Sequence, residues 1–268
     1  MQNYKDNCLI SDGNALLDLA IICNIGDRSD QQDSFGYDLR QNDCLVSVCD
    51  GMGGYEGGKL ASNTAIETIL NVFQNNHTSK PPTEYLLEAA TEANQKIINI
   101  KGDDGTSLHA GSTIVSVVIS GDKLHWISIG DSRIYLIRKG EMVHVTQDHN
   151  YKLVLDEKLA FGEISQDEYQ ASIEKGEMLV SFLGMGDLWL IDNNEEPFAL
   201  VKDDILLLMS DGLYKLLDDD EIKSIVNNFS NMADAVSAME QMTKRRARTK
   251  GKSRDNVTIA IIRYTGGK

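Results

Sequence analysis

Two aspartates close apolar, strand-like runs and lead into glycine: Asp50 in Asp50-Gly51-Met52-Gly53-Gly54 and Asp211 in Ser210-Asp211-Gly212-Leu213. A third, Asp255 in Asp255-Asn256, precedes another such run. A carboxylate at a strand end can hold a hard divalent cation, and the glycine beside it lets a backbone carbonyl or a water come close. Taken singly, an Asp-Gly after a strand is more often a turn than a metal site. Three of them along one chain describe a metal centre assembled by folding, and so a metal-dependent hydrolase.

The rest of the sequence has to build a scaffold for those ends. The chain has 268 residues, 41% of them hydrophobic and 25% charged, the proportions of a soluble globular protein with a full core. A net charge of −15 opposes general binding to nucleic acid or to an anionic membrane. No apolar run approaches a bilayer-spanning length, and Met1 to Asn7 lacks the layout of a signal peptide. Cys8, Cys23, Cys44 and Cys49 form no C-x-x-C pair and no zinc-like spacing, and Cys44 and Cys49, bracketing a strand-like run, read as buried reduced thiols. The five histidines are scattered, against a zinc site. These features fit a cytoplasmic protein.

Leu19 to Asn24 and Cys44 to Cys49 read as strands. Ile66, Ile69, Leu70 and Phe73 recur at helical spacing within 59–73. Pro81-Pro82-Thr83 stops one element and caps a second helix that runs to about Ile100. Residues 112–119, 123–129, 132–138 and 141–146 form a β-rich block. Its turns at Ser120-Gly121-Asp122 and Lys139-Gly140 are short enough to require antiparallel hairpins. Ile205 to Met209 is a strand buried on both faces, Asn231 caps a last helix, and Val257 to Ile262 is a final strand. The expected fold is α+β: a central antiparallel β-sandwich flanked by pairs of helices, in four layers, α/β/β/α. One domain spans 1–268, with a more polar flap insertion at about 151–182.

With the motifs placed, the chain resembles the PP2C (PPM) family of metal-dependent protein serine/threonine phosphatases, bacterial type. The resemblance runs from about Ile22 to Arg263. It rests on Gly26 to Asp33 (GDRSDQQD), Asp50 to Ser62 (DGMGGYEGGKLAS), Gly111-Ser112-Thr113, Gly130-Asp131-Ser132-Arg133, Thr146-Gln147-Asp148-His149, SDGL at 210–213 and SRDN at 253–256, in the family's order.

The resemblance implies two Mn²⁺ or Mg²⁺ ions. Asp50 would bridge them, the Gly51 carbonyl would contribute, and Asp211 and Asp255 would hold the first. Asp33 would act through a water, and Asp131 would join Asp211 at a third ion. A bridging water or hydroxide would attack phosphorus directly, with no covalent intermediate. Arg28 would receive the phosphate through its planar fork.

Three positions depart from the family pattern. Gln31-Gln32-Asp33 stands where many relatives carry Asn-Glu-Asp or Asn-Gln-Asp, Met52 where some carry a His, and Lys215 where the SDGL motif is often followed by Asp. Met52 leaves protonation of the leaving alkoxide to water. Lys215 weakens the case for a third ion. The implied partners are phosphoproteins and a Ser/Thr kinase, with the chain acting as a monomer. Rival readings are a non-catalytic interaction module on the same fold, and a hydrolase of small phosphomonoesters or a nuclease.

Three features carry a bland reading beside a functional one. Gly130-Asp131-Ser132 also suits a hairpin corner. Asp148 and His149 brace a loop more naturally than they react. Seven basic residues between Lys244 and Arg254 read first as a solvated helix end, and second as an attractor for phosphorylated substrate.

Overall fold

The computed structural model describes residues 7–76 and 79–266, so Met1 to Asp6 and His77 lie outside the described residues. Its strands are β1 (Asn7–Gly13), β2 (Leu17–Asn24), β3 (Asp33–Leu39), β4 (Asp43–Met52), β5 (Gly111–Ser112), β6 (Ile114–Ser120), β7 (Lys123–Ile129), β8 (Arg133–Arg138), β9 (Glu141–His144), β10 (Asp192–Asn193), β11 (Phe198–Ala199), β12 (Ile205–Met209) and β13 (Val257–Tyr264). Its α-helices are α1 (Gly54–Asn76), α2 (Pro82–Ile98), α3 (Tyr151–Ala160), α4 (Gln166–Ser172), α5 (Asp211–Tyr214), α6 (Asp219–Asn228) and α7 (Met232–Lys250).

Two antiparallel sheets result. The first runs β1-β2-β13-β12-β8-β9; the second runs β10-β7-β6-β4-β3, with β11 beside β7 and β5 beside β4. Three apolar clusters glue four layers. Leu19, Ile21, Val46, Val48, Val117 and Leu208 fill the space between the sheets. Ile69, Phe73, Leu86 and Ile97 of α1 and α2 pack on Leu45, Ile114 and Ile127 of the second sheet. Val226 of α6 and Val236 and Met239 of α7 pack on Leu207, Met209 and Ile259 of the first. Both sheets are therefore buried on two faces, which is why β6, β12 and β13 read as continuous apolar runs rather than alternating ones. The expected α/β/β/α sandwich is the observed one.

Local chemistry explains most boundaries. Asn231 caps α7, its side chain accepting from the amides of Ala233 and Asp234. Lys139 and Gly140 both take positive φ, 54° and 82°, as the two-residue turn between β8 and β9 requires.

Other expectations need correction. The first helix begins at Gly54, within the glycine-rich motif, rather than near Lys59. Pro81 precedes α2 but makes no side-chain cap, because a proline has no side-chain acceptor. The 151–182 insertion, expected only as a more polar flap, carries α3, α4 and a turn of 3-10 helix at 173–175. Leu155 is its buried helical residue, and α4 buries none. Among the described residues no helix is long and apolar enough to cross a membrane.

Candidate metal centre

The carboxylates converge at one seam between the two sheets. Asp33 opens β3 and lies directly opposite Asp50 near the end of β4. From the other sheet, Asp211 follows the end of β12, and Asp255 sits two residues ahead of β13, the strand paired with β12. One hydrogen bond closes the seam: the Ser210 hydroxyl donates to Asp33 Oδ2 at 2.7 Å, while its oxygen accepts from the Thr258 amide at 3.0 Å.

Close backbone packing forces the strand ends together. A Cβ on Gly51 would lie 2.0 Å from the Gly58 carbonyl oxygen, so α1 can approach β4 only because residue 51 has no side chain. Gly26, at φ 70°, brings the 25–32 loop equally close to the Asp255 carbonyl. Asn256 then pins that loop. Its Oδ1 accepts from the Gln32 amide at 2.8 Å, and its Nδ2 donates to the carbonyls of Ile25 and Asp30.

Asp50 is braced by residues that the motifs at 111–113 and 130–133 supply. Its amide donates to Thr113 Oγ1 at 2.9 Å, and its carbonyl accepts from the Thr113 amide and the Ser112 hydroxyl. Thr113 Oγ1 is also 2.7 Å from Ser132 Oγ. These bonds fix the backbone at residue 50 and leave the carboxylate to the cluster.

The electrostatics divide the site. Burial, partly offset by the Ser210 and Thr258 hydroxyls, pushes Asp33 up to about 7, with Asp211 and Asp255 adding repulsion. Asp50 keeps a narrow opening to solvent, yet loss of water contact and the charges of Asp33, Asp211, Asp131 and Asp255 drive it well above the usual carboxylate range. Asp131, buried beside Asp211, is pushed up to about 6. By contrast Asp255 is ion-paired with Arg28, Nη2 to Oδ2 at 2.6 Å, and Asp211 with Lys215.

As they lie, no three Asp, Glu, His or Cys side chains among the described residues form a closed cage for one ion. The ion pairs to Arg28 and Lys215 hold Asp255 and Asp211, while repulsion acts among the rest. The donor set nevertheless suits a hard cation. Asp33 Oδ1 and Asp211 Oδ1 are buried without a hydrogen-bond partner, and such atoms are costly unless something binds them. The donors at the seam are oxygens, the preference of Mg²⁺ and Mn²⁺.

Each predicted residue can now be located. Asp33, Asp50, Gly51, Asp211 and Asp255 share the seam, and Asp131 approaches it from the β7–β8 turn, within electrostatic reach of Asp211 and Asp50. Arg28 stands at the rim, exposed. Asp148 and His149 are braces: Asp148 takes two hydrogen bonds from Arg133, at 2.9 and 2.7 Å, and His149 Nδ1 accepts from the Gly130 amide. Burial lowers His149 to about 4, so it is neutral and able to accept at neutral pH.

The basic run from Lys244 to Arg254 is not uniformly free. Arg254 is 6% exposed and bonds Glu240 at 2.8 Å, and Arg246 pairs with Glu221. Lys244, Arg245, Arg248 and Lys250 are exposed on the last turns of α7. A cavity of 440 Å³ lies on the flap side, lined by Thr146, Asp148, Lys152, Asp156 and Asp192, and none of the seam carboxylates borders it. Ser210, Thr113 and Asn256 lay inside recognised motifs, yet their bonding roles carried no mark in the sequence.

Against known proteins, residues 24–246 match the profile of the protein phosphatase 2C family. The chain belongs to that family. Relatives of this 2C-family chain include a putative protein phosphatase of Mycoplasma genitalium, 28% identical over 88% of this chain and 90% of its own length. Protein phosphatase PhpP of Streptococcus pneumoniae is 28% identical over 92% and 97%. Among solved structures, the S. agalactiae serine/threonine phosphatase superposes with a TM-score of 0.75 at 25% identity, covering 92% of this chain and 99% of that one. A manganese-containing PstP catalytic domain, TM-score 0.71 at 23% identity over 93% and 99%, shares the fold.

Proposed function

We propose that the seam carboxylates hold a pair of divalent cations and that the site hydrolyses phosphoserine and phosphothreonine in proteins. As a member of the 2C family the chain is a serine/threonine protein phosphatase. The observation that carries the site assignment is the convergence of Asp33, Asp50, Asp211 and Asp255 from two sheets, with buried oxygens of Asp33 and Asp211 left unpartnered. Asp50 and the Gly51 carbonyl would help to hold both ions, Asp211 and Asp255 would hold one of them, and Asp33 would act through a water. Asp131 and Asp211 would hold a third, a role opposed by the ion pair of Lys215 with Asp211.

Bound there, Mg²⁺ or Mn²⁺ supplies a water acidic enough to ionise near neutral pH and withdraws charge from the phosphoryl oxygens. The relative PstP was solved with two manganese ions, which supports this choice. The chain's own residues do the rest. Arg28 lies on Asp255 through one nitrogen and is exposed at the rim, free to turn its planar fork onto a phosphate once Asp255 has another partner. Water attacks phosphorus without a side-chain nucleophile. The Ser210 hydroxyl is committed to Asp33 and Thr258, and burial pushes the Cys49 thiol up. With Met52 in place of an imidazole, the departing alkoxide takes its proton from solvent.

In this reading the chain acts as one phosphatase domain and as a monomer. The cysteines, all free, fit the reducing cytoplasm. Phosphoserine and phosphothreonine have to be made by a protein kinase, so the functional partner class is a Ser/Thr kinase and its targets. The test is phosphate release from a phosphothreonine peptide, compared with a sugar phosphate, with Mn²⁺ and with EDTA. Metal-dependent turnover of the peptide is expected; turnover of the sugar phosphate alone contradicts a protein substrate.

A further inference from the structure

One flank of the cluster already contains a cation. Lys215 lies one helical turn beyond Asp211, its amide bonded to the Asp211 carbonyl at 3.0 Å and its Nζ ion-paired with Asp211 Oδ2. The same ammonium acts on Asp131 and on Glu177 of the flap. Asp131 is buried, with Asp211 as its strongest ionic neighbour and Lys215 the next.

The position is held from both sides. Tyr214, the residue before Lys215, donates its hydroxyl to the Asp131 carbonyl at 3.0 Å. Its ring lies beneath the Arg133 guanidinium at 3.6 Å, and Arg133 is locked to Asp148. The dipeptide Tyr214-Lys215 thus fixes the Asp131 backbone and offsets its charge. Resting on the two-ion reading above, we infer that the Lys215 ammonium is the resident counter-ion between Asp131 and Asp211, and limits this centre to two exchangeable divalent ions.

Charge and tethering both favour that outcome. Asp33, Asp50, Asp131, Asp211 and Asp255 carry five negative charges when ionised, which two divalent ions and one ammonium cancel. Arg28 is then left for the phosphate. A third divalent ion would have to enter within a few ångströms of an ammonium in a partly dry site, where like charges repel strongly. It would also compete with a cation attached to the same short helix, whose effective concentration is of millimolar order.

The experiment counts bound Mn²⁺ on the full chain by native mass spectrometry and by electron paramagnetic resonance titration. The proteins are the wild type, Lys215→Asp, Lys215→Met, and Lys215→Asp combined with Asp131→Asn, each checked for folding by circular dichroism. Wild type is expected to bind two ions. Lys215→Asp should bind three, and adding Asp131→Asn should return the count to two. Lys215→Met, nearly isosteric and uncharged, should also take a third ion, at least tenfold more weakly than Lys215→Asp; if the aspartate variant does not fold, a count of two in Lys215→Met overturns the inference by itself. Three ions in the wild type, or two in both lysine variants, overturn the inference and leave the two-ion centre standing. Fewer than two in the wild type overturn the centre itself.

Discussion

The two sides of the seam solve the same electrostatic problem differently. On the β3–β4 side, Asp33 and Asp50 face each other, and burial and neighbouring carboxylates push both toward the protonated form. On the β12–β13 side, Asp211 and Asp255 each have a cationic side chain in contact, Lys215 and Arg28. The lesson is a division of labour. In the proposed reading the first side would create the demand for external positive charge, whereas the second would carry charges to be released to substrate or kept in place.

The largest expected effect comes from cutting into the demanding side. Asp50→Asn should lower kcat/KM on a phosphothreonine peptide by about a thousandfold or more, because several kcal/mol of charge stabilisation go with the ion pair. The matching cut on the other side is Arg28→Lys, which keeps the charge and loses the fork. It should cost roughly tenfold to a hundredfold in kcat/KM, about the worth of a charge-assisted bidentate contact. Equal losses in the two variants would break the proposed division.

A stability measurement sharpens it. An acid whose folded value is raised binds its proton more tightly in the folded state than in the unfolded one. Its contribution is therefore greatest below the unfolded value and is lost as pH rises through the folded value. For Asp33, raised to about 7, EDTA-treated protein should lose a few kcal/mol of unfolding free energy between about pH 4 and pH 7. Asp33→Asn should flatten that slope in urea titrations, and added Mn²⁺ should reverse it. An unchanged slope in the variant would remove Asp33 from the account.

Smaller effects come from the frame. Asn256→Ala strands the Gln32 amide and two carbonyls, and should destabilise by about 1–3 kcal/mol in urea unfolding. Phe161→Ser, at a flap residue 80% exposed, should leave stability within about 0.5 kcal/mol and shift peptide KM only a few-fold.

How much of this could be read in the chain follows the same physics. Asp50 and Asp211 were legible because a carboxylate and a glycine after an apolar run leave a local mark. Buried strands such as Ile205–Met209 were legible because both faces are covered. Strand β3 was not recognised: Gly36, which gives Ile66 and Leu70 room to pack, breaks its pattern. Helix α6 hid in the acidic stretch Asp218-Asp219-Asp220-Glu221. The signal was present, since Asp218 and Glu221 form a reciprocal capping box ahead of Ile222 and Val226.

The bonds that close the seam leave no local mark. Ser210 and Asp33 are 177 residues apart, and Asn256 and Gln32 are 224 apart, so no local pattern announces their bonds. The flap stayed closed to reading for a different reason. It buries little apolar surface, and periodicity appears only where burial imposes it.

The measurement that bears most directly on the central claim is phosphate release from a phosphothreonine peptide by wild type and Asp50→Asn, each with Mn²⁺ and with EDTA, alongside circular dichroism of both proteins. The account predicts release by wild type that requires Mn²⁺, and a folded variant with almost none. Metal-independent release, or a folded variant as active as wild type, would contradict it. Inactive, folded wild type across a range of Mn²⁺ would make the chain a binding module on a phosphatase fold.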